Sequence, residues 1–236
     1  MNIFYCPTAV LNAVIELDEQ ESRHAHKVLR KNIGDTIAVF DGKGHLYSAS
    51  IAVVNKRSIS VVVQELLQQT ASNKPRLHLA VAPPKNLDRL EWLVEKATEI
   101  GVDDITLIIC QNSERREVRL DRIEKVIMSA AKQSLKFNLP VLNECVSFQK
   151  FMAAQAAVCE RKFIAFCHEK AEHLKSVYSA SQNALILIGP EGDFTQEEVH
   201  LAAKNGFEMV SLGESRLRLE TAAIYATTVF QLMNEK

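Results

Sequence analysis

Ile188-Gly189-Pro190-Glu191-Gly192-Asp193-Phe194 follows directly on the apolar run Ala184-Leu185-Ile186-Leu187-Ile188. Leu212-Gly213-Glu214-Ser215-Arg216-Leu217-Arg218-Leu219-Glu220-Thr221-Ala222 follows in the same way on the short run Glu208 to Ser211. Each segment begins where a buried strand should end and finishes where a helix should start. In an open α/β sheet that carboxyl edge is where ligands bind. Two such loops on neighbouring strands can enclose one small molecule.

Gly189 and Gly192 let a ligand approach the main chain, and Pro190 stiffens the turn between them. Thr195-Gln196-Glu197-Glu198 then reads as a capping box, which predicts a helix that Asn205-Gly206 ends. Taken alone, the first loop is equally compatible with an ordinary αβ connection. The second loop favours a site. It sets Arg216 and Arg218 beside Glu220 and Thr221 with few turn residues, a composition suited to a segment packed against something.

Working outward, residues 1–70 read mostly as strands. Ile3-Phe4-Tyr5, Thr36 to Phe40, Leu46 to Val54 and Ile59 to Leu67 are the apolar or β-branched runs. Asp41-Gly42-Lys43-Gly44 and Asn55-Lys56-Arg57-Ser58 supply the turns between the last three. One short helix is expected after Asp18, whose spacing to Glu21 suits an N-cap. The polar stretch Gln68 to Lys74, followed by Pro75, reads as a linker. From residue 74 to 236, strands and helices alternate, which predicts a mostly parallel sheet covered by helices. Its strands are expected at Leu77 to Ala82, Ile105 to Cys110, Phe163 to Phe166, Ala184 to Ile188 and Met209 to Leu212. Its helices are expected at Leu87 to Ile100, Arg119 to about Leu135, Phe148 to Cys159 and Glu220 to Met233.

The 236 residues are 47% apolar and 24% charged, with a formal net charge of −1, so nucleic-acid binding must rest on local patches. One patch lies between Arg23 and Arg57, where seven Lys/Arg face two Asp/Glu and His24, His26 and His45 lie among them. His24 and Arg30 are its candidate RNA contacts. A second is read on the helix after Arg119. At 100° per residue, Arg115, Arg119, Arg122, Lys125, Lys132 and Lys136 would share an arc of roughly 140° if the helix extended that far. Arg115 and Arg122 are its candidate phosphate contacts, against the plainer reading of a solvated helix face. Five cysteines are scattered without a CxxC pair, which points to reduced thiols and away from a zinc site. No secretory signal or membrane-length apolar run is visible, so a cytoplasmic protein without metal or membrane partner is expected.

The pair LIGPEGDF and LGESRLRLETA resembles the signature of the bacterial 16S rRNA uridine-N3 methyltransferases, the RsmE group of the SPOUT (trefoil-knotted) superfamily. His24 to Arg30 (HAHKVLR), Gly34-Asp35, Phe40-Asp41-Gly42, Lys85 to Gly101 and Lys132-Gln133-Ser134 followed by Pro140 resemble the group's other blocks in order and spacing. The resemblance covers nearly the whole chain. It departs at Asp193 and Leu219, where Gly and Thr are usual, at Asn112-Ser113, where Arg-Ser is frequent, and at Lys136, where Arg is common.

The resemblance implies an α/β protein with a C-terminal SPOUT trefoil-knotted parallel-sheet domain (74–236) and a smaller N-terminal PUA-like β-barrel (1–70) that binds RNA. It implies S-adenosylmethionine as the methyl donor, 16S rRNA in the small ribosomal subunit as the substrate, and a homodimer joined through the knotted domains. The chain has no GxGxxG, so the donor would be held by the loop after Phe166 and the two quoted loops. Candidate cofactor-binding residues are Leu187, Ile188, Gly189, Glu191, Gly192, Leu212, Gly213, Leu217, Arg218 and Thr221. Uracil N3 is protonated at neutral pH, so a cation that stabilises the uracil anion would lower the barrier. Arg218 is the candidate for that cation or for a neighbouring phosphate contact, and Glu220 is the candidate to orient Arg218 or to favour the sulfonium electrostatically. The alternative is a structural Arg218–Glu220 pair with Thr221 as a helix cap. A non-catalytic RNA-binding or ribosome-assembly factor on the same fold is the rival function, as is a knotted methyltransferase with another RNA target.

Overall fold

The structure, a computed structural model, describes residues 2–55, 57–70, 74–154, 160–167 and 171–235. Lys56 of the second expected turn, residues 71–73 of the expected linker, the end of the helix expected to reach Cys159 and residues 168–170 lie outside the described residues. The chain divides into two compact units, one formed by Met1–Ser72 with Ala131–Leu139, the other by Asn73–Ala130 with Pro140–Lys236.

The first unit contains β1 (Ile3–Tyr5), β2 (Val14–Leu17), α1 (Glu19–Arg23), β3 (Thr36–Phe40), β4 (His45–Val54) and β5 (Ile59–Gln69). They form one five-stranded sheet in the order β1-β3-β4-β5-β2. Only the β1–β3 pair is parallel. Alternate residues of the long strands, including Ile37, Val39, Tyr47, Ala49, Ile51, Ile59, Val61 and Val63, point into one apolar cluster with Phe4 and Leu17. The β3–β4 hairpin is fixed by Asp41. Its Oδ1 accepts the backbone N–H groups of Lys43 at 2.7 Å and His45 at 3.0 Å, and its Oδ2 lies 2.7 Å from His45 Nδ1. Asp18 caps α1 by accepting the Glu21 N–H at 2.7 Å, as its spacing predicts. After five residues that helix widens into a π-helical turn, His24–Val28. The strand β2 was not expected; with only four residues, its apolar alternation is too short to stand out from the surrounding turns.

The second unit contains β6 (Leu77–Val81), α2 (Leu87–Ile100), β7 (Asp104–Ile109), α3 (Leu120–Ser134) up to Ala130, β8 (Val141–Leu142), β9 (Val146–Ser147), α4 (Phe148–Ala154), β10 (Arg161–Ala165), β11 (Glu172–His173), α5 (Leu174–Val177), β12 (Ala184–Ile188), α6 (Gln196–Lys204), β13 (Glu208–Ser211) and α7 (Leu219–Asn234). The strand order is β11-β13-β10-β12-β6-β7-β8, with β9 also beside β7, and every pairing is parallel. β12 is buried along its full length, as a central strand covered on both faces must be. The Thr195 capping box closes as read: Thr195 Oγ1 accepts the Glu198 N–H and Glu198 Oε2 accepts the Thr195 N–H. The second oxygen of that buried carboxylate accepts the Gln111 N–H at 2.9 Å, which joins the start of α6 to the end of β7.

One expected element is corrected. Helix α3 begins at Leu120, so Arg115 and Arg119 stand before it and cannot share its arc. At the other end Leu135 adopts a left-handed backbone (φ 56°) and the Lys136 N–H bonds the Ala131 carbonyl, a C-terminal cap that leaves Lys136 outside as well. Arg122, Lys125 and Lys132 alone remain on the helix.

A cavity at the carboxyl edge of the parallel sheet

Strands β10, β12 and β13 end side by side, because β10 lies between the other two in the sheet. The chain leaves them as Ala165-Phe166-Cys167, Ile188 to Asp193 and Ser211 to Leu219. These three segments wall a cavity of about 1280 Å³, completed by His173, Arg89 from α2, and Glu220 and Ala222 from α7.

Of the residues expected to hold a cofactor, Ile188, Gly189, Glu191, Leu212, Gly213, Leu217 and Arg218 line this cavity. Three expected contacts do not. Leu187 is fully buried inside β12, since alternate strand residues face opposite ways. Gly192 packs against another loop instead: a Cβ there would sit 3.2 Å from Asn112 Cβ. Thr221 faces a smaller adjoining recess of about 330 Å³, with Asp88, Arg89, Trp92, Arg218 and Glu220.

Gly189 is required by a close approach. A Cβ there would lie 3.0 Å from two carbons of the Phe194 ring, which is itself buried and packed on Phe148 at 5.7 Å between ring centroids. The first loop is also held from outside. Glu191 Oε1 accepts the Lys85 N–H at 2.9 Å, and Asn112 Nδ2 donates to the carbonyls of Gly192 (3.1 Å) and Asp193 (3.0 Å). Two departures from the resembled pattern, Asn112 and Asp193, therefore touch one another.

The expected Arg218–Glu220 pairing is corrected. Glu220 is nearly buried and its carboxylate faces Arg89, with Nε 3.7 Å from Oε1. Arg218 occupies the N-cap position of α7 in extended conformation, without capping it through its side chain. Residues two apart at a helix start do not face each other, which explains the exchange of partner. Thr221 is accordingly the third residue of α7 and not its cap. Among the described residues the Arg218 side chain makes no ion pair or hydrogen bond, and the residue lines both recesses.

Sequence reasoning missed Arg89 and His173, and did not single out Cys167 and Asp193 within the loops it pointed to. Burial holds the Asp193 carboxyl above its usual range, although the backbone N–H groups of Phe194 and Cys167 and the nearby Arg216 act in the other direction. The apolar runs around Cys110 and Cys167 suggest core positions for both; Cys110 is buried, with desolvation pushing its thiol up, whereas Cys167 is exposed, because it stands beyond the end of β10.

The expected RNA contacts take different places. Arg115 is committed to the protein: its guanidinium donates to the carbonyls of Pro84 and Lys85, at 2.7 Å for the shortest bond. Arg122 pairs with Glu91 and, at 3.9 Å, with Asp88. His24 and Arg30 are exposed, His24 with its ring edge toward Phe4 and Arg30 with a left-handed backbone. Among the described residues there is no cluster of three metal-binding side chains and no helix long and apolar enough to cross a membrane.

An apolar-walled cavity with main-chain polar groups at the carboxyl edge of a parallel sheet suits an adenosyl-type cofactor, and its volume is ample for one. Comparison with known proteins places the fold in a class. The RNA methyltransferase domain family matches residues 71–231, and the RNA methyltransferase PUA domain family matches residues 17–64.

The chain belongs to this RNA methyltransferase family, in the group of ribosomal RNA small subunit methyltransferase E. The Rickettsia conorii protein of that name is 31% identical over 94% of this chain and 91% of its own. The crystal structure of a probable rRNA-methyltransferase from Porphyromonas gingivalis is 36% identical, with a TM-score of 0.89 over 99% of this chain and 98% of that one. A ribosomal RNA small subunit methyltransferase E from Neisseria gonorrhoeae, solved bound to S-adenosyl methionine, is 26% identical with a TM-score of 0.85, over 99% of this chain and 98% of that one.

Proposed function

We propose that the protein transfers a methyl group from S-adenosylmethionine to N3 of a uridine in 16S rRNA of the small ribosomal subunit. The observation that carries this reading is the cavity walled by the loops leaving β10, β12 and β13, in a chain of the RNA methyltransferase family. The names of the relatives support small-subunit rRNA as substrate, and the donor-bound Neisseria structure supports the cofactor.

When bound, S-adenosylmethionine supplies an electrophilic methyl group on a sulfonium. The chain's own residues do the rest. Ile188, Leu212 and Leu217 give apolar walls, while the backbone at Gly189 and Gly213 offers donors and acceptors without side chains in the way. Leu187 and Gly192 act behind this surface by supporting the strand and the loop. Arg218, with no protein partner among the described residues, takes the developing negative charge of the uracil ring or a neighbouring phosphate. Glu220 holds Arg89 at the mouth of the same recess. The target base must expose its Watson–Crick edge, so it enters unpaired or flipped from its stack.

The reading extends to the architecture. We place a PUA-like barrel at 1–70 and the catalytic domain at 74–236, with α7 threaded as a SPOUT trefoil knot. His24 and Arg30 are the RNA contacts of the first, reinforced by the local surplus of basic residues. Arg115 and Arg122 reach RNA only by exchanging protein partners. The catalytic domains pair as a homodimer through α7 and α2. Val229 belongs to the protomer's core, whereas Tyr225, Leu232, Met233 and Trp92 are exposed apolar side chains on these two helices. The protein acts in the cytoplasm.

Incubation with methyl-labelled S-adenosylmethionine and small subunits from cells lacking the enzyme, followed by nucleoside mass spectrometry, tests the reading. Label on 3-methyluridine is expected. Label on a purine or on ribose overturns the target, and failure to bind the donor favours a non-catalytic RNA-binding role.

A further inference from the structure

Asp193 is an acid where the resembled pattern has glycine, and it lies in the wall of the cavity. Its backbone is left-handed (φ 61°), a conformation that Asp tolerates better than most side chains. The loop fixes it on three sides. Its N–H bonds the Pro190 carbonyl at 2.9 Å, its own carbonyl receives Asn112 Nδ2 at 3.0 Å, and its Oδ1 accepts the Phe194 N–H at 2.8 Å. The carboxylate also accepts the backbone N–H of Cys167, on the loop leaving β10. The side chain thus bridges two of the three cavity loops.

An ionised carboxylate offers about four lone-pair positions, and these amides occupy two. Arg216 contributes attraction, yet burial outweighs it and disfavours the charged form. The other acids of the cavity are differently placed. Glu191 is held by the Lys85 amide, Glu220 faces Arg89, and Glu214 is exposed to solvent that screens it.

We propose that the Asp193 carboxylate recognises a positive centre of the methyl donor and makes the cavity selective for a cationic ligand. The inference rests on the assignment of S-adenosylmethionine to this cavity. The donor carries two such centres, a sulfonium and an α-ammonium. The demethylated product, S-adenosylhomocysteine, keeps only the ammonium, and 5′-methylthioadenosine has neither.

Calorimetric titration of these three compounds into the wild-type protein and Asp193→Asn tests it. Asn keeps an acceptor for the Phe194 amide and tolerates the same backbone, while it removes the charge and one of the two carboxylate oxygens. S-Adenosylmethionine should bind about tenfold more weakly to the variant, as for one charge-assisted contact, while 5′-methylthioadenosine is unchanged. S-Adenosylhomocysteine assigns the contact: unaffected, it places Asp193 at the sulfonium; weakened like the donor, at the ammonium. Asp193→Gly, which suits the backbone and also lacks the charge, should give the same selective loss. Equal changes for all three compounds, or no change, overturn the inference while leaving the cofactor assignment intact. Failure of the wild-type protein to bind any of them overturns that assignment as well.

Discussion

Arg218→Ala is expected to lower the rate of methyl transfer by about 10²–10³-fold, the usual loss when one preorganised charge-stabilising group is removed. The argument runs from the helix start. Arg218 ends the loop leaving β13 and stands at the N-cap of α7 without bonding to it. Arg218 is exposed and lines both the cavity and the adjoining recess, while the nearest acid in sequence, Glu220, is engaged by Arg89. A cation so placed is available to a ligand. Because the residue is exposed, stability should change by no more than about 0.5 kcal/mol, as for ordinary surface substitutions. Donor affinity should change less than turnover. Arg218→Lys should recover only part of the rate, since a point charge replaces a planar fork. Single-turnover rates on undermethylated small subunits, with melting temperatures, check this. Near-wild-type turnover in Arg218→Ala would remove Arg218 from the chemistry.

Gly189→Val is expected to weaken donor binding by about 100-fold and to destabilise the protein by about 1–3 kcal/mol, the usual range for overpacking. A Cβ at this position meets the Phe194 ring at 3.0 Å, and that ring is buried and packed on Phe148. The ring or the loop between β12 and α6 has to give way, and that loop forms one wall of the cavity. Pairing Gly189→Val with Phe194→Leu should restore part of both losses if the ring is the obstacle. Calorimetric titration and thermal melts of the single and double variants measure the effect. An unchanged affinity in Gly189→Val would mean that this loop does not shape the binding surface.

Much of this arrangement is legible in the residues, and the exceptions have physical causes. The Thr195 box, the Asp18 cap and the Asp41 hairpin are local: their hydrogen bonds join residues within four positions. The two loops that start the argument are legible for the same reason, since each is a strand end followed by a helix start. What joins them is not local. Strand order puts β10 between β12 and β13 and brings Cys167 to Asp193, and the packing of α2 on α7 brings Arg89 to Glu220. No periodicity reports such pairings. The supposed basic track on α3 fails for a related reason: Arg115 is drawn off by the carbonyls of Pro84 and Lys85, and Leu135 turns the chain before Lys136. Asp193 is legible in the sequence only as a departure; its place beside the Cys167 amide is not.

The most direct test of the central claim is a crystal structure of the protein with S-adenosylmethionine. The account predicts donor density between Gly189–Asp193 and Leu212–Leu217, with the methyl group directed toward the recess bordered by Arg218. Density at any other surface, or an empty cavity at saturating donor, would contradict it.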